Sequence, residues 1–350
     1  MGSTSYAWLI HRRGGARLLH SLRVLRPGIS LGHDPWRMDH LRILAETEGF
    51  FTRQDALDTG YNDNAIMRVL KSRLWTRLRT GSYTFSDLWL NWDAFERHRA
   101  TARAVVRKLG SSVALSHTSA AIELGLTVWD ADLSLVHVTR LDGGAGRTES
   151  GVQHHEGLCL DVDLVERNGF RSVNQARAGL EHASLVSTES AVVTLDAGLH
   201  NAHFSEEELQ ETFALMQSWP GIQRLQIAVR FADERAESVG ESRSRWLCYK
   251  HGLPTPELQF EVYDERGRLV GMTDFAWPEH QLLGEFDGKI KYGRLLKPGE
   301  EPGDVVLREK RREDLLREIL QWAMVRIMWA DLYHSAETPA RIRRLMRAAA

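Results

Sequence analysis

Apolar positions recur at helical spacing from Met38 onward and switch to a spacing of two toward the C-terminal end of the chain. In MDHLRILAETEG, Leu41, Leu44 and Ala45 fall on one face of a helix that Gly49 stops. Thr52 then caps the short helix RQDALDTG, with Asp55 at the last position of a capping box and Gly60 as the terminator. Asn62 caps a third helix, NAIMRVLKSR, in which Ile66, Val69 and Leu70 return at helical spacing. LWTRLRTGSYTF alternates on both sides of Thr80-Gly81, which predicts a two-stranded hairpin. Three short helices followed by a hairpin predict a winged helix-turn-helix over residues 38–90.

The spacing of two is clearest in GMTDFAWPEHQLLGEFDGKIKY, two short strands around a turn at Pro278-Glu279-His280-Gln281. Residues two apart on a strand share a face. Met272, Asp274 and Ala276 therefore share one face, and Leu283, Glu285 and Asp287, with Lys289 next in the alternation, share a face of the second strand. Closing the hairpin brings Asp274 beside Glu285 and Asp287. Such carboxylates repel one another unless a cation or protons neutralise them, and hard dications such as Mg2+ take oxygen donors. The pattern predicts a metal site on a sheet.

Residues 91–232 read as a mixed α/β region. WDAFERHRATARAVVRKLG, LSHTSAAIELGL, STESAVVTLDAGLHN and SEEELQETFALMQSW read as helices, the last opened by a capping box from Ser205 to Glu208. LSLVHVTRL and VQHHEGL read as strands around the Gly-rich loop DGGAGRTESG, which lacks the Lys-Ser/Thr and helix of a phosphate cradle. His117, His154 and His155 have no partner at metal-ligand spacing and read as core or solvated histidines. No chemistry is evident here; the region joins the two ends.

Composition narrows the function classes. The chain has 350 residues, enough for two or three domains, with 43% hydrophobic and 26% charged residues, a soluble globular composition. A net charge of −2 gives no global pull toward nucleic acid, so contact must come from local basic patches. Arg68, Lys71, Arg73, Arg77 and Arg79 form one on the third helix and hairpin, and a short basic helix suits the major groove of duplex DNA. Cys159 and Cys248 lie far apart with no C-x-x-C pair, which argues against a disulfide framework or a zinc site and fits a reducing cytoplasm. No apolar run reaches the roughly 18 residues of a membrane span, so no membrane partner is expected. Residues 1–37 are rich in Arg and Gly with Asp34 as their acid, and predict a disordered basic extension. ARIRRLMRAAA closes the chain within a basic helix or tail at 335–350.

Two resemblances sharpen these expectations. Asp274 followed by Glu285-Phe286-Asp287-Gly288, with Glu241 on the preceding helix ESRSRWLCYKHGL and REKRREDLLREILQWAMVRIMWADL at 308–332, resembles the PD-(D/E)XK nuclease superfamily. The likeness is to its branch related to very-short-patch-repair endonucleases. It implies a restriction-endonuclease-like α/β domain over 233–334, a Mg2+ or Mn2+ cofactor, and phosphodiester cleavage. Asp274, Glu285 and Asp287 would bind the metal and Glu241 would add a carboxylate from its helix. The superfamily places a lysine two residues after the Glu, where this chain has Asp287. Lys291 is the favoured substitute, with Lys289 and Lys310 as alternatives, and Lys310 and Arg311 would contact phosphate. The N-terminal segment, with RTG followed by Tyr83, resembles the winged-helix domain of AbiEi-type antitoxins. This implies DNA binding, transcriptional repression and a cognate nucleotidyltransferase toxin, in phage defence or a toxin–antitoxin module. Two functions stand: a DNA-binding metal-dependent nuclease, or a repressor or antitoxin that keeps the nuclease fold as a silent scaffold.

Overall fold

The computed structural model describes residues 35–219, 221–288, 312, 315–334 and 336–349. They form a mixed α/β molecule with three separate sheets, and no described helix is long and apolar enough to cross a membrane.

The N-terminal unit comprises α1 (Pro35–Thr47), β1 (Phe51–Thr52), α2 (Arg53–Asp58), α3 (Asp63–Lys71), β2 (Trp75–Arg79) and β3 (Ser82–Phe85). The capping signals act as the sequence implies. Asp55 N–H donates to Thr52 Oγ1 at 3.1 Å while Thr52 N–H donates to the Asp55 carboxylate at 2.7 Å. Ala65 N–H donates to Asn62 Oδ1 at 2.9 Å. Gly81 turns the hairpin at φ +81°, a left-handed conformation that side chains resist. The strand order is β1-β3-β2, and Leu41, Phe51, Ile66, Val69, Trp75 and Tyr83 fill the core beneath it. Helix α1 starts at Pro35, three residues ahead of the expected boundary at Met38. The rest of the expected basic extension, 1–34, lies outside the described residues.

The middle region opens with α4 (Ser86–Asn91) and α5 (Ala94–Leu109). Then come β4 (Val113–Leu115), α6 (His117–Leu124), β5 (Val136–Arg140), β6 (Arg147–Glu149), β7 (Val152–His155), β8 (Leu164–Arg167) and β9 (Phe170–Val173). Helices α7 (Gln175–Ala183), α8 (Thr188–His200), α9 (Glu206–Leu215) and α10 (Gln226–Phe231) complete it. The six strands run β6-β7-β5-β4-β9-β8. The Gly-rich segment is not all loop: Arg147–Glu149 pairs antiparallel with β7.

The C-terminal unit consists of α11 (Val239–Lys250), β10 (Glu257–Tyr263), β11 (Leu269–Trp277), β12 (Leu282–Asp287), β13 (Ala323–Met328), α12 (Trp329–Tyr333) and α13 (Glu337–Ala349). Its sheet runs β10-β11-β12-β13, antiparallel except that β13 lies parallel to β12. Both faces are covered, each by alternate residues. Phe275, Trp277, Leu282, Phe286, Val325 and Ile327 pack with Leu247 and Cys248 of α11 and Ile342 and Met346 of α13. Ala276 and Leu283 turn the other way and pack with Val262 and Leu316. Of the expected basic helix or tail at 335–350, Glu337–Ala349 form a helix, and Ile342 and Met346 pack it into this core.

Candidate functional site

The β11–β12 ladder pairs Trp277 with Leu282, Ala276 with Leu283 and Phe275 with Gly284, and stops there. Continuing that register by one residue sets Asp274 opposite Glu285, on the face of Ala276 and Leu283. Where the ladder stops, Asp274 Oδ2 accepts the Phe286 N–H at 2.7 Å, a side chain standing in for a backbone acceptor. On the other side, β13 pairs Arg326 with Glu285 and Met328 with Asp287. An Arg326 guanidinium nitrogen lies 4.0 Å from Glu285 and another 3.9 Å from Asp287. Arg312 Nη2 donates to Glu285 Oε1 at 2.6 Å and its Nη1 to the Met272 carbonyl at 2.5 Å. By that continuation Asp274 and Glu285 fall on one face, and Glu285 is balanced by Arg312 and Arg326, two guanidiniums that sequence reasoning did not single out.

Glu241 reaches this region differently. Ser238 caps α11 by accepting the Glu241 N–H at 3.2 Å, and the Glu241 carboxylate accepts from Ser238 Oγ at 2.7 Å and Glu237 N–H at 3.0 Å. This buried carboxylate is chiefly a cap of its own helix. Gln259 links it to the sheet, its Nε2 donating to Glu241 Oε2 at 3.2 Å. Gln259 has φ +49° and sits between Leu258 and Phe260, whose ladder partners Phe275 and Thr273 flank Asp274. Lys289, Lys291, Lys310 and Arg311 lie outside the described residues.

Among the described residues no three His, Cys, Asp or Glu side chains are grouped to hold a metal ion. That excludes a preformed cage from these residues alone. Mg2+, however, is commonly held by one or two carboxylates, with water and substrate phosphate completing its shell. Asp274 and Glu285 supply that number of hard oxygen donors, and the residues fit a cation on those terms.

The basic face is smaller than its sequence count. Arg68 and Lys71 lie exposed in the last turn of α3, Arg73 follows it at φ +59°, and Arg77 is exposed on β2. Arg79 departs from the expected cluster. It is half-buried against the middle region and donates to the Ser150 carbonyl at 2.8 Å, and burial lowers its pKa.

A histidine cluster was not evident from the sequence. The rings of His117 and His155 stack with centroids 3.6 Å apart, and His137 Nδ1 lies 2.9 Å from His155 Nε2. His117 holds φ +50°, its N–H donates to Glu181 at 3.0 Å, and Glu181 pairs with Arg177 at 2.8 Å. Burial drives His137 down to about 3, His155 to about 4 and His182 to about 4, and His117 well below its ordinary value, so all four stay neutral near pH 7. A cavity of about 170 Å³ opens beside them, lined in part by His117, His155, Glu156 and Trp219. Helix α6 and two strands bring these rings together from separate parts of the chain, so no local spacing announces them. His154 is buried as well, which settles for it the choice between core and solvated histidine.

No family model matches the chain. The crystal structure of the RV2827C protein from Mycobacterium tuberculosis is similar at a TM-score of 0.36 and 17% identity, covering 66% of this chain and 89% of that one. Two curated proteins, the uncharacterized protein MT2308 of Mycobacterium tuberculosis strain CDC 1551 and the uncharacterized protein Rv2248 of strain H37Rv, are each 31% identical over 224 residues. Each match spans 64% of this chain and 76% of the relative. The chain belongs to the family of these two mycobacterial proteins.

Proposed function

We propose that the protein binds duplex DNA through α3 and the β2–β3 hairpin and carries a Mg2+-dependent phosphodiesterase site at Asp274 and Glu285. The observation that carries this reading is the β11–β12 register, which continued by one residue sets Asp274 opposite Glu285, with Asp274 accepting the Phe286 N–H where the ladder ends. The order of Glu241, Asp274, Glu285 and Asp287 supports it through the PD-(D/E)XK resemblance, and α1–α3 with the hairpin support the winged-helix resemblance. Asp274 and Glu285 would hold Mg2+, or Mn2+ in its place, with Asp287 beside them. A dication bound there lowers the pKa of a water and neutralises charge gathering on the phosphate. Arg312 and Arg326 balance Glu285 and present guanidinium forks suited to phosphate oxygens. Glu241 and Gln259 hold the neighbouring strand. The lysine that the resemblance requires is sought among Lys289, Lys291 and Lys310. The AbiEi-type resemblance supports a role in phage defence or a toxin–antitoxin module, with a nucleotidyltransferase toxin as partner.

One observation favours a second reading. Arg312 closes on Glu285 at 2.6 Å, as in a finished structural ion pair, and this suits a silent scaffold in a repressor or antitoxin. Purified full-length protein incubated with plasmid, linear, single-stranded and RNA substrates distinguishes the two. The nuclease reading expects Mg2+- or Mn2+-dependent cleavage that EDTA abolishes. The scaffold reading expects DNA binding and no cleavage of any substrate.

A further inference from the structure

Helix α11 serves two bodies at once. Gly240 through Arg245 are all buried. Toward the C-terminal sheet, Gly240 faces the Phe286 ring so closely that a Cβ would lie 1.9 Å from Phe286 Cε1. Toward the middle region, Arg243 Nε donates to Glu189 of α8 at 2.5 Å, and Arg245 Nη1 donates to Asp196 of α8 at 2.8 Å. Arg245 Nη2 also donates to the Phe231 carbonyl at 2.8 Å, with its guanidinium 4.5 Å from the Phe231 ring centroid.

Arg243 is further enclosed by aromatic rings drawn from both bodies. Its guanidinium carbon lies 4.8 Å from the Trp129 ring, 4.9 Å from Tyr333 and 5.9 Å from Trp329. Trp129 of the middle region and Trp329 of α12 stack at 5.5 Å and 14°. Cations over aromatic faces are attracted most strongly when water is excluded. A planar guanidinium that stacks and donates as a fork fixes direction as well as distance. Glu241 lies two residues before Arg243 and four before Arg245, within about one helical turn. A rigid movement of α11 relative to β10 and β11 would carry Glu241 with it and strain those ion pairs.

We propose that Arg243 and Arg245 are positioning residues that clamp α11 to the middle region and so hold Glu241, Gln259 and the Asp274 end of β11 in place. Its catalytic consequence rests on the nuclease reading; its structural consequence does not. The middle region is then part of the site's support rather than a spacer between a DNA-binding end and a cutting end.

The test compares full-length wild type with Glu189→Gln and Arg243→Lys. The first neutralises the partner on α8, and the second keeps the charge but removes the fork. Asp264→Asn, in the β10–β11 turn where Asp264 pairs with Arg268, serves as a control that removes an ion pair outside the clamp. Amide hydrogen exchange and Mg2+-dependent cleavage kinetics are both read. Exchange over 239–245 should accelerate about tenfold in both clamp variants while β5 and β7 keep wild-type protection. kcat should fall about tenfold or more with KM unchanged, because small displacements of supporting groups act on the chemical step. The control should match wild type in both measurements. Wild-type protection of α11 in both variants would overturn the clamp, and so would uniform loosening of every element. A loosened α11 with wild-type kcat would overturn the positioning role. If wild type cleaves nothing, the nuclease reading fails, and exchange alone decides whether the clamp exists.

Discussion

Asp274 takes the Phe286 N–H at the point where backbone pairing ends, which bears on how its substitution behaves. An asparagine there keeps an oxygen for that N–H while losing the charge a cation needs, so Asp274→Asn should fold with a melting temperature within a few degrees of wild type. The two-residue alternation carries the expectation that Asp274 and Glu285 share a face, and the observed β11–β12 register runs in phase with it. It is not enough to foresee Arg312, because an ion pair spanning 27 residues leaves no local pattern. Nor can spacing reveal His117, His137 and His155, which β5–β7 pairing and the start of α6 assemble. These histidines predict a pH dependence. Their folded pKa values are depressed below the ordinary 6.5, so the unfolded chain binds more protons as pH falls. Stability present above about pH 6.5 should decline toward pH 4, each histidine adding up to ~1.4 kcal/mol per pH unit to the slope. Asp196, raised by burial to about 6 although Arg245 opposes the rise, acts against this between about pH 4 and 6, and Glu181, raised by burial beside His117, acts in the same direction. Denaturant midpoints measured from pH 7.5 to 4.5 check it, and midpoints that stay flat or rise on acidification would contradict it.

Among the elements, α1–α3 and the hairpin are readable because caps, terminators and one-sided apolar faces all agree there. Helix α7 is not, since all its residues beyond Gln175 are buried, Arg177, Glu181 and His182 included, and no polar face marks its period. Helix α3 carries the next prediction. Replacing Arg68 and Lys71 with Ala should weaken duplex binding on every sequence and reduce the salt slope by about one for each phosphate no longer neutralised. Affinity and slope unchanged in a titration between low and moderate salt would remove α3 from the DNA interface. Arg79→Ala should change DNA affinity less, because Arg79 already bonds Ser150. Helix α11 yields a stability prediction. Alanine would ordinarily favour a helix over glycine by ~1 kcal/mol, but at Gly240 the new Cβ meets the buried Phe286 ring at 1.9 Å. Overpacking should win, so Gly240→Ala should destabilise by about 1–3 kcal/mol. An unchanged or raised midpoint in chemical denaturation would show that Phe286 moves aside freely.

At the scale of the molecule, the division into an N-terminal unit, a middle region and a C-terminal unit follows the three sheets. The last boundary is hidden in the sequence because the arginines of α13 suggest a solvated tail, while Ile342 and Met346 a turn apart bury it in the C-terminal core. The middle region reads as a plain connector because its ties to α11 are long-range ion pairs, Arg243 with Glu189 and Arg245 with Asp196. In the proposed function this assembly brings DNA to a carboxylate pair able to use Mg2+. Cleavage of a DNA duplex by wild type and Asp274→Asn, prepared identically and assayed side by side with Mg2+, tests it most directly. Wild type should cleave in a reaction that EDTA abolishes, and Asp274→Asn should lose most activity while still binding DNA. Equal cleavage by both proteins, or none by wild type, would contradict it.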